Sequence, residues 1–130
     1  MTQLITTAQI KAANLAAIEN QTLAAIKPNF DNTGRCSYLA GCAISVAMSP
    51  ETLSVIREER SDGENIRELV DMGVVSVEDT TLAYRLQGLH DKLALSGFID
   101  DWTIAWFRAL APYEGQRITI EHYRSVIEAL

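Results

Sequence analysis

Apolar positions along this 130-residue chain fall mostly at helical spacing. Ala8, Ala12, Leu15, Ile18, Thr22 and Ile26 make a stripe that predicts a first helix, capped by Thr6 or Thr7 and ended by Pro28. Turn residues across 27–34 predict a loop. The stretch 36–48 is different in kind. It carries no charge and is apolar or small on every side, the signature of a helix buried on most of its surface. Its Ser37, Ala40, Gly41 and Ser45 would let neighbours approach closely, so residues 36–48 are expected to form the central helix.

Start and stop signals divide the rest. Ser49-Pro50-Glu51 opens a helix to about Arg60, with Leu53, Val55 and Ile56 inward, and Ser61-Asp62-Gly63 breaks it. A short helix over 65–72 ends at Gly73. The β-branched run 74–77 has no convincing partner strand and reads as an extended connector. Asp79 or Thr80 caps a helix over 80–96, with Leu82, Leu86, Leu89 and Leu93 as its seam and Gly97 as its stop. Acid at Asp100 and Asp101 begins a helix over 101–111, closed by Pro112. Thr119 caps a last helix to Leu130, with Ile120, Tyr123, Ile127 and Leu130 inward. The expected fold is all-α: a single domain over 1–130, a compact bundle of six or seven short helices around the central apolar helix at 36–48.

Composition agrees. At 48% hydrophobic and 22% charged, this is an ordinary globular chain, long enough to bury a core without metal or disulfide staples. No apolar run reaches the roughly 20 residues a bilayer needs, and no basic region precedes an apolar stretch near the start, so neither a membrane span nor a signal peptide is expected. Cys36 and Cys42 on one helix would be about 240° and about 9 Å apart, which forbids a bridge. Two buried, reduced thiols in the cytoplasm are the expectation.

Charge narrows the function. The net charge is -6. Direct nucleic-acid binding needs clustered Lys and Arg, and docking on anionic lipid needs the same, so both are disfavoured. Of the 17 acids, twelve lie within 51–101, against five bases.

Four groups of residues carry candidate chemistry. Cys36 as nucleophile, His90 as base and Asp91 or Asp79 as orienter would make a cysteine-dependent enzyme, since a helix N-terminus lowers a thiol pKa. Against that, cysteine is commonly a buried structural residue. His90 and His122 lie 32 residues apart with no ligand spacing, and the seven glycines form no phosphate cradle. No metal and no cofactor is expected. Trp102 and Trp106, four apart, share a helix face. Large aromatics fill cores more often than they anchor partners, so the core is the first expectation for them, and a partner-binding role the second. The acids Glu58, Glu59, Asp62, Glu64, Glu68 and Asp71 would solubilise the surface or steer it to a basic partner.

The favoured reading is a small acidic cytoplasmic protein-binding module without catalysis. It would occupy a basic site on a larger protein through those acids, Trp102 and Trp106. A phage or mobile-element inhibitor of anti-CRISPR type fits by size and charge. The alternatives are the Cys36–His90 enzyme and a self-associating module that dimerises through the tryptophan face.

Overall fold

The computed structural model describes residues 2–26 and 38–130, and those residues are mostly helical. Six α-helices stand where six were expected: α1 (Thr7–Glu19), α2 (Pro50–Glu58), α3 (Ile66–Asp71), α4 (Thr80–Ala94), α5 (Asp101–Trp106) and α6 (Ile120–Glu128). Each opens on a side-chain cap. Thr6, Asn65 and Thr119 form reciprocal boxes with Gln9, Glu68 and His122. Ser49, Asp79 and Asp100 each accept the N–H three residues on.

The central helix is not there. Within 38–48 the chain makes two short 3-10 turns, Tyr38–Ala40 and Ser45–Ala47, and the rest is irregular. Gly41, between them, has φ +90°, which an α-helix does not accept. Some of its backbone groups find partners in other elements or in a side chain. The Gly41 carbonyl accepts Ala24 N–H at 2.9 Å, the Ala43 carbonyl accepts Asn14 Nδ2 at 2.8 Å, and Cys42 N–H donates to Ser45 Oγ at 2.8 Å. Tertiary and side-chain partners have replaced the helical ladder. The burial expectation holds in part: Cys42, Ala43 and Ile44 are fully buried, while Leu39 and Ala40 are exposed.

The connector is a strand. β2 (Val75–Val77) pairs in parallel with β1 (Gln3–Ile5), in the register Gln3–Val75, Leu4–Ser76 and Ile5–Val77. Gln3 also clamps the start of α2. Its Nε2 donates to the Ala47 carbonyl at 3.0 Å, and its Oε1 accepts from Ser49 N–H and Thr52 Oγ1, both at 2.8 Å.

Three helix limits also move. α1 stops at Glu19, not near 26, because Gln21 turns to φ +56°. Its buried face is Ile10, Asn14, Ala17 and Ile18, while Ala8 and Ala12 are exposed. Pro28 lies outside the described residues. The left-handed residue after α4 is Ser96, φ +56°, rather than Gly97. α5 ends at Trp106, and Arg108–Tyr113 continues as a 3-10 helix that contains Pro112.

The core joins all these elements. α6 packs against α1 and α4, and α3 against α4. Ile5, Ile44, Ile56, Leu69, Leu86, Leu110 and Ile127 lie wholly inside. No helix among the described residues is long and apolar enough to cross a membrane.

Candidate functional site

A groove of about 340 Å³ opens between α3, α4 and α5. The Ser61–Asn65 turn left by the end of α2 supplies Asp62 and Glu64, and α3 supplies Ile66 and Glu68. α4 supplies Tyr84, Gln87, Gly88 and Asp91, whose spacing of three and four puts them on one helix face. Trp102 from the first turn of α5 and Tyr38 complete the wall. Among the described lining residues four are carboxylates, three are aromatic and none is a lysine or arginine.

Hydrogen bonds fix much of this wall. Tyr38 N–H donates to Asp62 Oδ1 at 2.8 Å, and the Tyr38 hydroxyl donates to the Glu64 carbonyl at 2.7 Å. Burial, then Cys42 and the carboxylates of Asp91, Asp62 and Glu68, raise the Tyr38 hydroxyl well above the usual tyrosine value, so it stays a neutral donor. Glu68 is held by the α3 capping box. Gln87 Nε2 donates to Asp91 Oδ1 at 3.0 Å, which leaves Gln87 Oε1 buried without a hydrogen-bond partner among the described residues.

Aromatic faces around the groove carry guanidinium groups of the chain itself. Arg67 lies over the Tyr84 ring at 4.2 Å. Arg85 lies over Trp102 at 4.1 Å and over Trp106 at 5.0 Å. Trp102 and Trp106 therefore do share a face, and that face is outside the core: the two are 51% and 45% exposed. Phe98 and Leu95 are exposed near them in sequence. The expectation that the tryptophans are core fillers is thus overturned; the inner residues of this region are Thr103, Phe107 and Leu110. At the N-terminal end of α5, Asp101 holds the Glu114 carboxyl above its usual range through a shared hydrogen bond and like charge.

The remaining candidates distribute as follows. Asp62, Glu64, Glu68, Asp91 and Trp102 meet at the groove. Glu58, Glu59 and Asp71 are exposed at the ends of α2 and α3, outside its lining. Cys36 lies outside the described residues. His90 is fully buried and both ring nitrogens are engaged. Nε2 accepts Ala25 N–H at 3.2 Å, so the proton sits on Nδ1, which donates to Asp91 Oδ1 at 3.1 Å. Asp79 caps α4. Among the described residues no three of His, Cys, Asp and Glu gather as metal ligands.

Sequence reasoning missed Tyr38, Tyr84, Gln87 and Gly88. The i, i+3, i+4 and i+7 spacing of Tyr84, Gln87, Gly88 and Asp91 was the available signal, masked by the stronger leucine seam beside it.

A second depression of about 360 Å³ lies between Ile18, Ala25, Ile26, Leu93, Ile120 and Arg124 and is mainly apolar. No family model, curated protein or solved structure matches this chain.

Proposed function

We propose that this chain is a small acidic protein-binding module that occupies a basic site on a larger protein. The observation that supports it is the groove, where four carboxylates and three aromatic rings meet and none of the described lining residues is a lysine or arginine. Glu58, Glu59 and Asp71, at the ends of α2 and α3, are exposed carboxylates outside the lining. Complementary charge steers encounter and fixes register, and a half-exposed tryptophan at the rim supplies apolar contact. The action is steric and electrostatic, and a phage or mobile-element inhibitor acting in the cytoplasm is the form it takes. A single domain of this size suffices for that role.

The test is capture of the partner from host lysate, followed by titration of the purified partner. Binding should weaken roughly tenfold or more between about 0.05 and 0.5 M salt, because exposed charges are screened within about a Debye length. The triple variant Glu58→Lys, Glu59→Lys, Asp71→Lys should lose most of the affinity while keeping its circular dichroism spectrum. Affinity indifferent to both salt and charge reversal overturns the reading.

The exposed Trp102, Trp106, Phe98 and Leu95 favour one second reading, a symmetric dimer through the α5 face. Sedimentation would then show a concentration-dependent mass that Trp106→Ala abolishes. A monomer at every concentration removes it.

A further inference from the structure

We propose that His90 is a proton-sensitive latch on the turn at 24–26, closed while the imidazole is neutral and released when the ring takes a second proton. The ring is 0% exposed, on the inner side of α4. A neutral imidazole has one donor and one acceptor, and the fold uses each once. Nδ1–H donates to Asp91 Oδ1 at 3.1 Å, and Nε2 accepts the Ala25 N–H at 3.2 Å. An imidazolium has two donors and no acceptor. Its added proton must go to Nε2, where it would point at the Ala25 N–H. Two buried donors would then face each other, both unmatched, so the closed turn and the charged ring exclude one another.

The surrounding groups do not relieve this. Asp91 favours positive charge on the ring, but its bond is to Nδ1 and is made whether the turn is closed or open. From α6, Tyr123 stands edge-on at 6.0 Å, and its hydroxyl is committed to Asn14. Arg124, also on α6, lines the apolar depression with Ala25 and is itself a cation. Tyr38 lines the groove with Asp91 and donates its hydroxyl to the Glu64 carbonyl. Ala24, Ala25 and Ile26 bring no charge. Little else ties the turn down: Ala24 N–H donates to the Gly41 carbonyl at 2.9 Å, and Ile26 N–H only to the nearby Leu23 carbonyl at 3.0 Å. Segments with few holds are the ones that open locally. Ala25 and Ile26 wall the depression with Ile18 and Leu93, so release uncovers that apolar surface. A histidine in water titrates near about 6.5. The open turn takes up the proton and the closed turn does not. The opening equilibrium therefore rises as pH falls, by up to about tenfold per unit below that value.

The test is hydrogen exchange of the whole protein, followed amide by amide by NMR between about pH 7.5 and about pH 5, above the carboxylate range, with rates corrected for the chemical effect of pH. Protection of the Ala25 amide should fall about tenfold or more, in step with the His90 Nε2 nitrogen shift, while the Leu86 and Ile127 amides keep theirs. His90→Gln retains an acceptor and does not titrate, so its Ala25 protection should be flat across the range. His122→Gln removes the other histidine and should leave the wild-type response intact. Flat Ala25 protection in the wild type overturns the proposal. So does parallel loss at Leu86 and Ile127, which is unfolding of the whole domain, or a pH response that survives His90→Gln or vanishes in His122→Gln. Should His90→Gln fail to fold, the wild-type comparison of Ala25 with Leu86 and Ile127 decides alone.

Discussion

The Tyr123 hydroxyl on α6 donates to Asn14 Oδ1 on α1 at 2.6 Å, 109 residues away in sequence and inside the core. Asn14 spends the rest of its amide in the same place, since Nδ2 donates to the Ile10 and Ala43 carbonyls, both at 2.8 Å. One buried side chain thus ties α1, α6 and the irregular segment around Ala43. His90 stands edge-on to Tyr123 with ring centroids 6.0 Å apart, which brings α4 into the same cluster. A fully satisfied polar cluster of this kind specifies one packing arrangement, and breaking one member leaves the others buried and unmatched. Tyr123→Phe should cost about 1–3 kcal/mol, the desolvation cost of the orphaned Asn14 oxygen. Asn14→Ala should cost more, about 3 kcal/mol, because it strips the Ala43 carbonyl as well. Urea unfolding of both variants measures this, and a near-zero effect of Asn14→Ala would mean the segment is held by other means.

Gly41 and Gly88 should respond oppositely to alanine. Gly41 has φ +90°, and a Cβ there would lie 3.3 Å from the Thr22 carbonyl oxygen, so Gly41→Ala should destabilise by about 1–2 kcal/mol. Gly88 sits inside α4 with open space around it, so Gly88→Ala should stabilise by about 0.5–1 kcal/mol. Thermal midpoints read both.

Lys92 and Asp100 set an acid limit. Lys92 Nζ lies 2.7 Å from Asp100 Oδ2, and with the Thr103 N–H bond it holds the Asp100 carboxyl down at about 2. A depressed carboxylate stabilises the fold above the ordinary value near 4, and that contribution is lost as pH falls through about 2. The pair is half exposed, so solvent screening keeps Asp100→Asn to about 0.5 kcal/mol at neutral pH. Asp100→Ala also removes the α5 cap and should cost about 1–1.5 kcal/mol. Urea midpoints at neutral pH and near pH 2 should show the Asp100→Asn difference shrinking with acid.

Tyr38 sets an alkaline limit with the opposite sign. Its hydroxyl is raised by burial, so the folded state keeps a proton that the unfolded chain releases near pH 10. Stability should therefore fall as pH rises above about 10. Tyr38→Phe should flatten that slope while costing about 1 kcal/mol at neutral pH through the lost bond to the Glu64 carbonyl. Unfolding free energies at pH 8 and pH 11, about two units below and one unit above that value, make the comparison.

Cys42 is wholly buried beside Ser45. Alkylation of the peptide carrying it, followed by mass spectrometry, should track the urea unfolding transition. Rapid labelling of Cys42 in the native protein would contradict its burial.

Local chemistry determined most of the helices. Caps at Thr6, Ser49, Asn65, Asp79, Asp100 and Thr119 act within one turn, so each start is written in four residues. Apolar content likewise determined that the middle of the 38–48 segment, 42–45, would be buried. Tertiary structure decided what local patterns do not encode. The 38–48 segment is irregular because Asn14, Ala24 and Ser45 take over its backbone bonds, and no window around Gly41 contains Asn14. The parallel pair Gln3–Val75 joins residues 72 apart, and a three-residue strand is too short to announce itself. The leucine seam of α4 turned by part of a turn, so Ala83 and His90 went inward with Leu86 and Leu89, while Tyr84, Gln87, Gly88 and Asp91 were left to line the groove. The acids and Trp102 were legible one by one. Their convergence was not, because it depends on the angle at which α5 meets α4, and that angle is set by packing across the whole core.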